Sequence, residues 1–188
     1  MADLTTRVKV KRVLGIPSAV TMHDTYIDDL LEVADEQIIA YTGMAAITQT
    51  TVTEKYNITS TAETEFTLRN FPVISVASVK SSGSTLSTET WYFEARSGLL
   101  ALKDASKFFA EGRQTVEVTY THGYASVPAD LSHAASLICA QHFNAARHAG
   151  MRSESGGGYS YRVSEDYIPP AARGILAKYQ RIFPKESQ

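Results

Sequence analysis

A single cysteine, Cys139, in 188 residues rules out an internal disulfide, so the fold rests on packing and hydrogen bonding, as in proteins of a reducing compartment such as the cytoplasm. Cys139 lies on the apolar side of a helical pattern and reads as a small buried hydrophobe rather than a reactive thiol. No stretch approaches the ~20 consecutive apolar residues of a membrane span, and the opening MADLTTRVKVKRV has no apolar signal-peptide core. A soluble, unprocessed chain with no membrane role is expected. Neither sign of charge dominates: Lys+Arg 18 against Asp+Glu 20 gives −2. That balance excludes a global pull toward nucleic acid or an acidic membrane, and no helix rich in Arg and Asn is present to read bases.

Catalytic and metal-binding patterns are equally scarce. His133, His142 and His148 share one helical stretch, but their spacing does not bring them within coordinating reach and is not H-E-x-x-H. Asp130, Ser132 and His133 supply the letters of a triad; neighbours on a helix point in different directions and cannot form nucleophile, base and orienter. His23, Asp24, Asp28 and Asp29 make an acidic patch at a helix start, where carboxylates favour the dipole and a cation is the alternative occupant. Gly156-Gly157-Gly158 lacks the GK[ST] and preceding strand of a phosphate loop. A small hydrolase would have to use His122 or His133. No cofactor is expected.

What is present is amphipathic structure. A 44% hydrophobic content supports a substantial core. Thr5 or Thr6 can cap a first helix with Val10, Val13 and Leu14 at helical spacing, stopped by Gly15 and Pro17. Thr21-Met22-His23-Asp24 has capping-box spacing and opens a second helix carrying Ile27, Leu30, Leu31, Ala34, Ile38 and Tyr41, ended by Gly43. From Thr50 to Thr121 the period changes to two, predicting strands at 51–58, 65–69, 74–80, 90–94, 99–102 and 115–121 between turn signals. Residues 104–110 are ambiguous and fit a helical turn.

Pro128 suits the first turn of a long helix with Asp130 near its positive end. The predicted buried stripe is Leu131, Ala135, Ile138, Phe143 or His142, and Ala146, with small residues that let neighbours approach from both sides. Residues 151–167 are polar and glycine-broken and are expected to be a mobile loop. Pro169 and Pro170 start a last helix with Ile175, Leu176, Tyr179, Ile182 and Phe183 on one face, in a tail rich in Arg and Lys. The fold expected is α+β: about four helices in a small bundle (1–49 and 122–188) with an inserted antiparallel β-sandwich or barrel of five to six strands (50–121).

LTTRVKVKRVLGI with DTYIDDLLEVADEQIIAYTG, then FPVISVASVKSSG through GLLAL to VEVTYTHGYASVPADLSHAA, and finally the basic glycine-bearing loop with IPPAARGILAKYQRIF, taken in that order, resemble the head-to-tail connector (adaptor, or head-completion) proteins of tailed bacteriophages. The likeness covers nearly the whole chain; the β insert is longer than in the mostly helical members. The resemblance implies a non-enzymatic virion protein of the neck, assembled in the host cytoplasm. Its copies, about twelve in a ring, would dock on the portal and extend the DNA channel toward the next neck protein (stopper) or tail. Another neck or tail-completion role is the alternative.

On that reading Arg173, Leu176, Lys178, Tyr179, Arg181, Ile182 and Phe183 would grip the portal, and residues 169–188 should be removable without unfolding the chain. Arg147, Arg152, Gly156, Gly157, Gly158, Tyr159, Tyr161 and Arg162 would form a subunit-contact or channel loop, past which genomic DNA slides without sequence-specific binding.

Overall fold

The structure is a computed structural model that describes residues 4–147, 153–156, 159–162 and 167–180. It comprises two compact units, a helical one formed by Met1–Gly43 with Val127–Gln180, and a β unit containing Met44–Ser126.

In the helical unit, α1 spans Arg7–Leu14 and α2 Asp24–Thr42; Gly15 and Gly43 end them in the left-handed conformation, returning N–H groups to the last carbonyls. Thr6 caps α1 by accepting from Lys9 N at 3.4 Å. The stripe Ile27, Leu30, Leu31, Ala34 and Ile38 of α2 is buried, following its spacing. The capping box expected at Thr21 does not form. His23 precedes the helix without a side-chain bond, because the Asp24 carboxylate turns instead to Lys11 and Arg7, and charge-assisted bonds outweigh a neutral cap. Val13, expected to be buried, is exposed; Val10 alone among the α1 valines reaches the core.

The long helix α3 covers Ala129–Arg147 and packs against α1, α2 and the last helix α4, Pro170–Leu176, which continues as a 3-10 turn over Ala177–Tyr179. Such a position requires small residues on several sides, and Ala134, Ala135, Cys139 and Ala140 supply them around Leu131, Ile138 and Phe143. Pro128 sits just outside α3, its carbonyl accepting Ser132 N at 3.0 Å. Ala146 is exposed, so the buried stripe stops at Phe143 rather than running through the last turn.

The β unit holds β1 (Thr50–Ile58), β2 (Glu65–Thr67), β3 (Val73–Ser81), β4 (Ser84–Thr85), β5 (Trp91–Phe93), β6 (Leu99–Leu102) and β7 (Gly112–His122). They form two antiparallel sheets in the orders β1-β7-β3-β4 and β2-β6-β5, neither of which closes into a barrel among the described residues. One core draws on both sheets, with Val116, Val118 and Tyr120 of the central β7 at 0% exposure against Val79, Trp91 and Leu100. The opposite face of β7 is polar: Glu117 meets Lys80 at 2.8 Å and Lys55 at 3.9 Å, and Thr119 and Thr121 bond Thr53 and Thr51 at 2.9 Å. This is the cross-strand pairing that period-two sequences allow.

All six expected strands are present, and β4, two residues beyond the Ser82-Gly83 turn, is additional. The ambiguous 104–110 segment is a turn, Lys107 N to Asp104 O at 3.0 Å, that delivers Phe109 to the core. Residues 44–49 fold with the β unit because Met44 and Ile47 are buried and Thr48 bridges Tyr124.

The segment expected to be a mobile loop contains a hairpin: β8 (Ser153–Gly156) pairs antiparallel with β9 (Tyr159–Arg162), Ser153 opposite Arg162 and Gly156 opposite Tyr159.

Candidate functional site

The acidic patch at the start of α2 is already occupied by the chain's own cations. Arg7 donates through Nε to Asp28 at 2.8 Å and through Nη1 to Asp24 at 2.9 Å, with a second guanidinium bond to Asp28. Lys11, 3% exposed, reaches the other Asp24 oxygen and donates to Val20 O at 2.7 Å and Ser18 O at 3.3 Å. The clamp ties the 15–23 turn to α1 and engages Asp24 and Asp28. Among the described residues no group of three His, Cys, Asp or Glu is placed to hold a metal ion.

The histidines are scattered. His133 is exposed and His148 lies outside the described residues. His142 is half-buried, bonded to the Gln37 amide and stacked on Tyr167 with ring centroids 5.4 Å apart. His122, 1% exposed, is locked in β7 between Thr50 and Val73, and its Nδ1 has no partner among the described residues. Ser132 accepts from Lys9 Nζ at 2.8 Å, while Asp130, in the first turn of α3, accepts from Leu131 N at 2.9 Å. Asp130 and Ser132 are therefore engaged in separate structural contacts and His133 is exposed, and burial pushes the Cys139 thiol up to about 12, which keeps it protonated at neutral pH.

The last helix turns its apolar side inward. Ala172 and Leu176 are at 0% exposure in the helical unit's own core. The Tyr179 hydroxyl donates to Asp130, Lys178 Nζ lies 3.9 Å from the same carboxylate, and Gln180 Nε2 donates to Tyr41 O at 3.2 Å. Leu176 thus belongs to the interior and not to a presented surface; Arg173 and Lys178 are exposed and Tyr179 is partly so. Arg181, Ile182 and Phe183 lie outside the described residues, as do Arg152, Gly157 and Gly158. Arg147 ends α3, and Gly156, Tyr159, Tyr161 and Arg162 fall in the β8–β9 hairpin.

In the β unit, sequence reasoning missed a polar node. Glu54 Oε2 accepts from Tyr120 at 2.7 Å and Tyr56 at 2.5 Å, while the two phenol oxygens accept Asn70 N and Arg69 N at 3.1 Å. Burial and this carboxylate push both phenols up, Tyr56 the further, so they act as fixed donors holding the 69–72 corner.

These contacts fix the direction of the pH response. The Lys11 hydrogen bond, ahead of Arg7, holds the Asp24 carboxyl below 3.8, and the Tyr179 bond does the same for Asp130. Burial lowers His122 and His142 below 6.5. A lowered folded-state value means the unfolded chain takes up protons first, so stability is full above each unfolded value and falls as pH drops through it. Thermal midpoints should be level between pH 6.5 and about 9, where the raised Cys139 thiol and the two phenols begin to favour the unfolded chain, decline below 6.5, and decline again below 3.8. His122→Gln with His142→Gln should flatten the first decline and leave the second.

Residues 3–182 match the family model described as head completion protein. No protein of curated function matches the chain. Among solved structures, one from the neck of an empty gene transfer agent (GTA) particle with C6 symmetry is similar at a TM-score of 0.61 and 16% identity, covering 99% of this chain and 94% of that one. Chains from the virion of a native GTA particle (TM-score 0.58, 16% identity, 96% and 90% covered) and from the neck of a native GTA particle with C12 symmetry (0.56, 16%, 89% and 92%) share the fold as well.

Proposed function

This chain belongs to the head completion protein family, virion components of the phage neck, and we propose that about twelve copies of it form an adaptor ring docked on the portal. The ring extends the DNA channel and receives the next neck protein or the tail. The match over residues 3–182 carries this reading, since it runs through the whole helical unit from residue 3 and all of Met44–Ser126. The fold supports it: α3 is surrounded within its own helical unit, and α1 and α2 keep long exposed faces for neighbours. A net charge of −2 suits a channel wall that lets DNA slide, with at most weak phosphate attraction from Arg147, Arg152 or Arg162. Membership of the head completion protein family supports a structural role.

Portal attachment is assigned to the outward cations Arg173 and Lys178 and to the arm that follows Gln180. Removing 169–188, as the sequence alone suggested, would take Ala172 and Leu176 out of the core, so it cannot separate folding from docking. Ending the chain after Gln180 does separate them. The shortened protein should keep its helical circular dichroism and melt within a few degrees of the parent, yet bind portal-bearing heads about tenfold more weakly or less. Undiminished binding would refute the assignment.

A further inference from the structure

We propose that the copies join head to tail through α1 of one and α2 of the next, a basic helix face laid against an acidic one. The inference rests on the ring reading and adds the surfaces that close the ring.

On α1, Val10, Lys11 and Leu14 turn inward and Val8, Lys9, Arg12 and Val13 are exposed, Val8 at 55% and Val13 at 39%. On α2, the buried stripe leaves Tyr26, Asp29, Glu32, Val33 and Glu36 on the opposite side, Tyr26 at 40% and Val33 at 37% exposure. Each face is therefore an apolar strip beside charges of one sign: Arg12, with Lys9 beside it donating to Ser132 of α3, on α1, and three anions on α2. The intramolecular Arg7 clamp consumes Asp24 and Asp28 on the inner side of α2 and none of these three.

A closed ring of more than two copies needs two different patches that complement each other, whereas a twofold dimer needs one self-complementary patch. Like faces would set cation against cation here, and only α1 against α2 joins opposite signs while burying Val8 and Val13 with Tyr26 and Val33. The charges set register and partner choice; the apolar strips supply the burial.

Two reversed chains test this: Val8→Glu with Arg12→Glu, and Glu32→Lys with Glu36→Lys. All four positions are exposed, and circular dichroism checks that both chains fold. Arg12→Gln and Glu36→Gln, which erase charge without reversing it, serve as a milder pair. Occupancy of portal-bearing heads is counted by electron microscopy and mass. Each reversed chain alone should fill necks about tenfold less well than the parent. An equal mixture should recover to within about twofold, because in an alternating ring the acidic α1 of one chain meets the basic α2 of the other at every second joint, and the joints between pair the parental faces.

Parental occupancy by either reversed chain alone, or a mixture as poor as its components, would overturn the α1–α2 contact. Full rings that no longer hold the portal would overturn it too, by assigning these faces to the portal. A parent chain present on heads as a single copy would instead remove the ring reading itself.

Discussion

Replacing Gly123 by alanine should cost the β unit about 3 kcal/mol or more, and on the order of 10 °C in its thermal midpoint. Two effects add. The backbone at Gly123 has φ +93, a conformation closed to a residue with a Cβ, and an added Cβ would stand 2.5 Å from Thr48 O and 2.8 Å from Thr48 C. Those are backbone atoms and cannot swing aside, because both chain segments are pinned. Gly123 N donates to Pro72 O at 2.9 Å, Tyr124 N to Ile47 O at 2.8 Å, and Gln49 N to Tyr124 O at 3.1 Å. Gly83 provides the control: its φ of +80 is similarly unfavourable, but nothing lies within 4 Å of an added Cβ. Gly83→Ala should therefore cost about 1 kcal/mol, and the difference between the two in urea denaturation isolates the clash. Equal costs would show that the 47–49 segment yields. The glycine of the Tyr-Thr-His-Gly-Tyr junction is thus explained by a close approach of two backbones, without appeal to function.

That junction shows where sequence reasoning succeeds and where it stops. The spacing of Ile27, Leu30, Leu31, Ala34 and Ile38, and the alternation of Val116, Val118 and Tyr120, marked the buried faces because a period is a local property. β4 escaped notice, since two residues carry no period. The β8–β9 hairpin escaped for a different reason: Ser153–Gly156 contains no apolar residue, and its pairing rests on backbone bonds that any side chains permit. Asp24 could equally have capped α2 or paired with a cation; Lys11, on another helix, decided it. The polar node at Glu54 was invisible because it unites residues from β1, the 69–70 corner and β7. The largest ambiguity concerned the last helix. Periodicity says which of its residues share a face and is silent on whether that face meets the same chain or another one.

Leu176→Ala resolves that ambiguity by experiment. Removing a side chain at 0% exposure from between α4 and α3 should lower the stability of the helical unit by about 2–5 kcal/mol, the range for a truncated core leucine. Portal affinity, measured per folded molecule, should stay unchanged, because Leu176 anchors the arm from inside. Lys178→Glu should do the reverse. Its side chain is 67% exposed and its 3.9 Å approach to Asp130 is a surface contact, so stability should move by no more than about 0.5 kcal/mol. Reversing a cation assigned to the portal contact should, however, weaken portal binding about tenfold. The two variants thus separate holding the arm in place from what the arm presents. If Leu176→Ala weakened docking as strongly as Lys178→Glu at temperatures where it remains folded, the apolar face of α4 would have to leave its own core and insert into the portal. The helix would then exchange an intramolecular partner for an intermolecular one of the same chemistry, and the burial seen here would be the unassembled state of that exchange.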